Sequence, residues 1–238
     1  MGTRNIGAVA HVLIPMPSTH LHLTLPETKG AVINWGWRYD LMVSVVDLVT
    51  LGRLRQIRRL VLDVAELSPG ASVLDVGCGT GTLALEAYQR VGPAGRVVGI
   101  DPGPRQIDRA RTKAARRGVE VHFQIGAIER LPFTDASFDA VLSTLMMHHL
   151  PDDLKRVGLA EIARVLKPGG RLLVADADHP HLHPFAPHRR LPQGSTGVER
   201  LQALLADARL GIVKSIQVPI TRLPAIPRVG IILARKAT

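Results

Sequence analysis

The sequence predicts a doubly wound α/β fold: five parallel core strands, a C-terminal hairpin that brings the sheet to seven strands, and an N-terminal helical cap. Between residues 71 and 178, short aliphatic runs alternate with segments of helical spacing, which indicates β-α-β units. The links between these segments are short, as in sheets whose faces are covered by helices. With 46% hydrophobic and only 3% aromatic residues, the chain of 238 residues can form a large aliphatic core.

The elements of the core follow in order from these patterns. Strands are predicted where short aliphatic runs occur, at 72–77, 96–101, 119–126, 138–146 and 171–177. Helices are predicted between them at 82–91, 104–118 and 152–170, the last of these closed by Lys-Pro-Gly-Gly. Asp152 and Asp153 are expected to cap this last helix.

The flanks of the core differ from it in composition. Residues 1–30 are predicted to form a partly irregular extension, and 31–70 to form the cap helices before the core at 71–178. Residues 179–238 are expected to complete the same domain. They comprise a loop or lid, a helix at 198–211, and a hairpin of 212–220 and 228–236.

The amino-acid composition limits the structural and functional classes to which this protein can belong. Cys78 is the only cysteine, which excludes an internal disulfide and a Cys-rich metal cluster. No run approaches the roughly 20 apolar residues of a membrane span, and residues 1–17 do not resemble a signal peptide, so a soluble, cytoplasmic protein is expected. The net charge is +10, with arginines concentrated at 53–59 and 105–117. Because no aromatic residues interleave there, solvated helix faces are favoured over a nucleic-acid surface.

A glycine-rich loop follows the first core strand. Gly77, Gly79 and Gly81 allow a sharp turn and close approach of the backbone to a ligand, and Asp101 ends the second strand, where it can accept hydrogen bonds from ribose hydroxyls. The spacing is G-x-G-x-G, whereas a dinucleotide loop is G-x-G-x-x-G. Asp75 would repel a pyrophosphate and attract a cationic amino group. The loop therefore predicts a site for a nucleoside that carries a cationic amino group.

These motifs carry a resemblance to a known family. "VLDVGCGTG", "VVGIDPGPRQIDRAR", "GAIERLPFTDASFDAVLS" and "EIARVLKPGGRLLVAD" resemble, in order and spacing, the motifs of class I S-adenosylmethionine-dependent methyltransferases. The resemblance extends over about 73–178 and is greatest to the small-molecule branch that includes quinone-biosynthesis enzymes. It implies a Rossmann-like sheet, S-adenosylmethionine as cofactor and methyl transfer as the reaction.

The resemblance also implies roles for individual residues. Asp75 and the loop backbone at Gly77, Gly79 and Gly81 would hold the methionine part of the cofactor, and Asp101 would hold the ribose. Further cofactor contacts are implied at Pro102 beside the adenine, at Thr144 near the methionine part, and at Tyr39, which would close over the cofactor from the cap.

Two positions depart from the family pattern. The family often has Gly-Asp-Ala after strand three, where the acid holds the adenine amino group, but this chain has Gly126-Ala127-Ile128. The backbone of Ala127 and Ile128, or the Glu129 side chain, is expected to substitute. Gln106 stands where the family often has a methionine against adenine.

Two groups of histidines are candidates for chemistry. His148 and His149 follow strand four, where the acceptor must approach the methyl group, and a histidine there can act as a base or clamp. Both are candidate catalytic residues, and His149 is favoured over His148 to face the pocket. The alternative is that one of the two side chains faces solvent, the other packs beneath the next helix, and His149 only shapes the wall. A second group, at positions 179, 181, 183 and 188, lacks the spacing of a metal site, so no metal is predicted there.

The predicted acceptor is a small, hydrophobic molecule. A membrane-derived acceptor is one possibility, in which case the basic helix at 52–59 would rest on anionic headgroups. Two alternatives stay open: an RNA methyltransferase, prompted by charge although no Asn/Asp-Pro-Pro-aromatic motif follows strand four, and an inactive cofactor-binding regulatory protein. A nicotinamide oxidoreductase is disfavoured by the glycine spacing.

Overall fold

The structure is a computed structural model that describes residues 28–177, 198–219 and 228–238. In these residues the helices are α1 (Trp37–Val49), α2 (Arg53–Ala65), α3 (Thr82–Val91), α4 (Pro104–Arg117), α5 (Asp152–Val165) and α6 (Val198–Asp207). The strands are β1 (Ser72–Val76), β2 (Arg96–Asp101), β3 (Val121–Ile125), β4 (Phe138–Thr144), β5 (Leu166–Ala177), β6 (Leu210–Pro219) and β7 (Arg228–Lys236). The predicted extension at 1–27 and the histidine-rich loop at 179–188 lie outside the described residues.

All seven strands form one sheet in the order β3-β2-β1-β4-β5-β7-β6. Strands β1 to β5 are parallel to their neighbours, whereas β7 pairs antiparallel with both β5 and β6. The predicted fold class is therefore confirmed, including the C-terminal hairpin. The division of the chain into four segments stays a prediction.

Each face of the sheet carries its own aliphatic core. One core joins α2, α3 and α4 to the sheet and includes Val61, Leu85 and Ile107. The other joins α5 and α6 and includes Ile162 and Leu204. Because β1, β2 and β4 are covered on both sides, they read as nearly continuous apolar runs in the sequence.

The end of α5 differs from the prediction. The helix was expected to continue to residue 170, but it ends at Val165, and Leu166 already belongs to β5. Leu166 is fully buried and pairs with Phe138 of β4, and the Ser137 amide donates to the Val165 carbonyl at 2.8 Å. These contacts hold the backbone in an extended conformation already at Leu166, before Pro168 and the glycines that follow it. The prediction was wrong because pairing between distant segments is not visible in the local pattern.

Two smaller expectations were also wrong. Strand β4 ends at Thr144, not at residue 146, because Leu145 takes a left-handed backbone conformation (φ 51°) and the chain turns into a short 3₁₀ helix, Met147–His149. Asp152 does not cap α5 through its side chain; Pro151 occupies the capping position. Instead, the Asp152 carboxylate pairs with Lys155 at 3.1 Å and Arg200 at 2.9 Å.

Among the helices of the described ranges, none combines the length and the hydropathy needed to cross a bilayer.

Candidate active site

The glycine loop turns at the carboxyl end of β1, where open α/β sheets bind their ligands. The Gly77 and Cys78 amides both donate to the Ile100 carbonyl at 2.9 Å, which fastens the loop to the neighbouring end of β2. Gly77, Gly79 and Gly81 all have positive φ, at 71°, 53° and 76°, so the turn requires backbone conformations that other residues rarely adopt.

Asp101 lies at the end of β2 and faces the loop. One carboxylate oxygen accepts from the Gly79 amide at 3.0 Å, and the other accepts from the Gly103 amide at 2.8 Å. Burial raises the pKa of Asp101 to about 6, although both hydrogen bonds act to lower it. The carboxyl group is thus held in a fixed position and can change its charge near neutral pH.

Asp75 and Cys78 are buried next to Asp101. Burial, followed by the charge of Asp101, raises the pKa of Asp75 to about 7, against a smaller opposing effect of the Ala84 amide. Burial, followed by the charges of Asp75 and Asp101, also raises the pKa of the Cys78 thiol well above its usual value. The thiol is therefore kept protonated and is a poor nucleophile.

The cap helix α1 is tied to the loop and to α4 by Asp40. Its carboxylate accepts from the Thr80 hydroxyl at 2.6 Å, from Arg109 at 2.6 Å and from Lys113 at 3.1 Å. Lys113 also donates to the Thr82 hydroxyl at 2.7 Å. This network holds α1 against the mouth of the sheet.

A cavity opens between the cap and the carboxyl ends of the strands. Of the residues predicted to touch the cofactor or the acceptor, the structure places these in the cavity wall: Tyr39, Gly77, Gly79, Asp101, Pro102, Gln106, Ala127, Ile128, Thr144 and His149. Three predicted site residues do not line it, namely Asp75, Gly81 and His148. The structure thus brings together most of the predicted site from five separate segments of the sequence.

The three residues outside the cavity wall are buried for structural reasons. Asp75 is fully buried within β1. Gly81 packs so closely that an added Cβ would lie 2.5 Å from the Phe123 ring and 2.9 Å from the Ala110 Cβ. His148 pairs with the buried Asp176, whose carboxylate lies 2.5 Å from the His148 Nδ1 atom.

The two histidines after β4 are in contact but lie in different environments. Their ring centroids are 3.9 Å apart, with the planes inclined by 44°. His149 lines the cavity, whereas His148 is held by Asp176 through both its ring and its backbone amide, the latter at 3.0 Å. Asp176 was not singled out in the sequence. It is the last residue of the segment EIARVLKPGGRLLVAD, but nothing in that segment indicates a partner for it, and only the pairing of β5 beside β4 brings it to His148.

The wall near β3 contains further polar groups. The Gln106 side chain is almost fully buried, and its carbonyl oxygen accepts from the Gly36 amide at 3.0 Å. Thr28 donates its hydroxyl to one oxygen of Glu129. The other Glu129 oxygen is buried without a hydrogen-bond partner among the residues that the structure describes. Both Thr28 and Glu129 line the cavity.

Cap residues complete the wall of the cavity. They are Val43, Leu54, Ile57 and Arg58. Their contribution was missed in the sequence, although the apolar spacing of Leu54, Ile57 and Val61 indicates one buried face of α2.

Residues 73–170 match the family model described as "Methyltransferase domain". This part of the chain is a methyltransferase domain. The methyltransferase domain contains β1 to β4 and the start of β5, and with them the glycine loop, Asp101 and both histidines. The family resemblance found in the sequence is confirmed.

A curated relative supports this assignment. The chain is 40% identical over 143 residues to a demethylmenaquinone methyltransferase of Deinococcus radiodurans, and the match covers 60% of this chain and 57% of the relative. The chain spans about half the length of the curated relatives it matches.

Solved structures of the same fold have different activities in their names. A geranyl diphosphate methyltransferase in complex with GPP and sinefungin superposes with a TM-score of 0.66 at 18% identity, covering 77% of each chain. The [4+2]-cyclase SpnF superposes with a TM-score of 0.63 at 24% identity, covering 77% of this chain and 81% of its own. At such low identity, these likenesses show the fold alone.

Proposed function

We propose that this cavity binds S-adenosylmethionine and that the protein transfers its methyl group to a small, apolar acceptor. The observation that carries the proposal is the fixed Asp101 carboxylate, which meets the glycine loop at one cavity. The cytoplasmic location expected from the sequence remains part of this proposal.

The residues of the cavity suit such a cofactor. At Gly79, an added Cβ would meet nothing closer than a Tyr39 ring atom at 3.9 Å, so a ligand can approach the backbone there. Asp101 offers carboxylate oxygens to hydroxyl groups, and Asp75 adds a second acid within the same region. Two acids suit a ligand with a cationic amino group and a sulfonium, and they disfavour a pyrophosphate.

The roles of individual residues follow from their positions. We assign binding of the methionine part of the cofactor to the Gly77 and Gly79 backbone and to Thr144. Asp75 would act through its charge from behind the cavity wall. Asp101 takes the ribose hydroxyls. The adenine would lie against Pro102, Gln106, Ala127 and Ile128, and Tyr39 would close over the cofactor. Gly81 is assigned only to the shape of the loop, because it packs on Phe123.

The remaining wall is suited to an apolar acceptor. It includes Val43, Leu54, Ile57, Met146, Leu150 and Val229. When bound, S-adenosylmethionine supplies an electrophilic methyl group, so the protein mainly excludes water and aligns the acceptor. His149 lies in this wall and can accept a proton if the acceptor must lose one.

The relatives also favour this type of acceptor. The curated relative named above is a demethylmenaquinone methyltransferase, whose named substrate is a small molecule. Neither the RNA methyltransferase alternative nor the inactive regulatory protein gains support from these comparisons.

Binding and transfer are tested separately. Isothermal titration calorimetry with S-adenosylhomocysteine should show one site, and Asp101→Ala should weaken binding by about tenfold or more, because a charge-assisted hydrogen bond contributes about 1.5–3 kcal/mol. Transfer is then measured from radiolabelled S-adenosylmethionine to a panel of quinols, phenols and isoprenoids. Absence of binding contradicts the proposal, and binding without transfer to any acceptor favours the inactive regulatory protein.

A further inference from the structure

The outer face of α1 is apolar and exposed. Its large side chains recur at intervals of three and four residues, so they share one side of the helix, and apolar residues before and after the helix extend the same surface. We call this surface the cap ridge; it consists of Trp35, Trp37, Leu41, Val45, Leu48, Val49 and Leu51. The most exposed members, Leu48, Val49 and Leu51, have relative exposures of 75%, 77% and 89%.

The cap ridge does not serve the hydrophobic core. The opposite side of α1 contains Tyr39 and Val43, which line the cavity, and Asp40 and Asp47, which hold the helix to its neighbours. The helix is therefore apolar on its exposed side as well as on its inner side. A contiguous exposed patch of this kind on a protein surface indicates a binding surface.

The charge around the cap ridge is positive. Residues 35–59 contain five arginines and two aspartates. Both aspartates are already paired: Asp40 with Arg109 and Lys113, and Asp47 with Arg55. Among the arginines, Arg38 extends over the Trp37 ring at 5.8 Å from its centroid, and the Arg55 side chain is 66% exposed. The surface thus combines apolar residues, tryptophans and a net positive charge.

We propose that the cap ridge docks on the surface of an anionic lipid bilayer. Its leucines and valines would enter the boundary between headgroups and acyl chains, the tryptophans would lie at the headgroup level, and the arginines would meet lipid phosphates. A second copy of the chain is a poorer occupant, because a two-fold interface would bring the same positively charged patches against each other. The apolar side chains and the positive charge of the cap ridge both favour an anionic membrane surface as its partner.

Docking in this way would place the cavity close to the lipid. The cap ridge and part of the cavity wall are opposite sides of one helix, α1, whose overall diameter is about 10–12 Å. An apolar acceptor dissolved in the bilayer would then have a short path to His149 and the strand ends. Membrane contact therefore involves the apolar face of α1 and not the basic segment of α2 alone.

The experiment uses vesicles and the intrinsic fluorescence of the protein. Both tryptophans of the chain belong to the cap ridge. The full chain is mixed with vesicles of phosphatidylcholine containing about one third phosphatidylglycerol, and with vesicles of phosphatidylcholine alone. We expect sedimentation with the anionic vesicles, a blue shift of tryptophan emission on binding, and weaker binding in high salt.

A matched pair of variants tests the surface. Leu41→Glu with Leu48→Glu should reduce binding to anionic vesicles by at least about tenfold. Val157→Glu with Val213→Glu, at exposed positions on α5 and β6, should leave binding within about twofold. Neither pair lines the cavity, so both variants should bind S-adenosylhomocysteine like the original protein. This separates failure of docking from failure of the proposed function.

Three results would overturn the proposal. They are no binding of the original protein to anionic vesicles, no change in tryptophan emission on binding, and equal loss of binding in the two double variants. A dimer in light scattering that the Leu41→Glu, Leu48→Glu variant converts to a monomer, without vesicle binding, would instead assign the cap ridge to self-association. If that variant does not fold, the emission shift and its salt dependence in the original protein decide the question.

Discussion

Asp101 is the residue at which pH should act on cofactor binding. Burial raises its pKa to about 6, so part of the population is protonated below neutral pH. Only the ionised carboxylate accepts from hydroxyl groups at both oxygens. We therefore expect the affinity for S-adenosylhomocysteine to fall as the pH decreases from about 7 to about 5, by up to about tenfold per pH unit below the pKa. Calorimetry across this range measures the dependence.

The control for the pH effect is Asp101→Asn, which should bind more weakly and lose this part of the pH dependence.

The stability of the ligand-free protein should depend on pH in the opposite direction from ligand affinity. The folded-state pKa values of Asp75 and Asp101 lie above 3.8, so the folded state holds protons that the unfolded state has released. These two groups should therefore lower stability as pH rises from about 4 to about 7. An affinity that is constant from pH 5 to 8 would contradict the assignment of Asp101.

Glu129 is predicted to take the place of the acid that the family has at position 127. One of its oxygens is buried in the cavity wall without a partner among the described residues, and a ligand donor such as the adenine amino group would satisfy it. Glu129→Ala should weaken binding of S-adenosylhomocysteine by about tenfold. Adding Ala127→Asp to that variant should restore most of the affinity.

A nucleoside analogue provides the control. S-Inosylhomocysteine has a carbonyl in place of the amino group, so the original protein should bind it weakly and Glu129→Ala should discriminate less between the two ligands. Equal discrimination in both proteins would exclude Glu129 from adenine recognition.

His148 and His149 are adjacent but should respond differently to substitution. Burial would raise the pKa of Asp176, but the attraction of His148 and the hydrogen bonds at that carboxylate outweigh burial and lower it. His148→Ala leaves this buried charge without its ring partner and should reduce the free energy of unfolding by about 3–5 kcal/mol. His149→Ala should change stability by less than about 1.5 kcal/mol.

Denaturant unfolding and turnover together distinguish the two histidines. If His149 acts as a base, His149→Ala should reduce kcat by about 10² to 10⁴-fold, with an unchanged affinity for S-adenosylhomocysteine. Undiminished turnover of this variant would leave His149 as part of the wall only.

At the level of elements, the glycine loop is held between β3 and α4. An added Cβ at Gly81 would lie 2.5 Å from the Phe123 ring and 2.9 Å from the Ala110 Cβ, in addition to the strain of a positive φ. Gly81→Ala should therefore destabilise the protein by about 2–5 kcal/mol, the sum of backbone strain and overpacking. Thermal unfolding measures this effect.

Gly118 offers a matched control at the end of α4. It has a similar left-handed backbone conformation (φ 60°, ψ 36°), but an added Cβ there meets no atom within 4 Å. Gly118→Ala should lose only the backbone contribution, about 1–2 kcal/mol. Equal losses at both positions would show that packing of the loop on Phe123 contributes nothing.

At the level of the whole molecule, Asp40 joins the cap to the core. Asp40→Ala removes hydrogen bonds to Thr80, Arg109 and Lys113, so α1 should detach more often from the mouth of the sheet. Hydrogen exchange of residues 37–49 should increase, and affinity for S-adenosylhomocysteine should fall by about three- to tenfold, because Tyr39 moves with the helix.

The control is Asp63→Ala, which removes the exposed ion pair between Asp63 and Arg90 at 2.6 Å. Such pairs contribute about 0–1 kcal/mol, so cofactor affinity and exchange in α1 should not change. Unchanged exchange of α1 in Asp40→Ala would mean that the cap is held by its apolar contacts alone.

The sequence by itself determined the parallel core, the glycine loop and Asp101. Strand and helix patterns of this kind are local, and their order restricts the topology to few solutions. The motifs after β1 and β2 also determined the family, because the spacing of Asp75, the glycines and Asp101 is contained in one stretch of the chain.

Only the tertiary structure decided which side chains share the cavity and which are buried beneath it. His148 and His149 are adjacent in the sequence, and the local pattern does not distinguish them. The placement of β5 beside β4 brings Asp176 into contact with His148, whereas His149 lies in the cavity wall. The early end of α5 and the exposure of the cap ridge have the same origin. Contacts between distant segments set the burial of each side chain, and a local pattern contains no information about them.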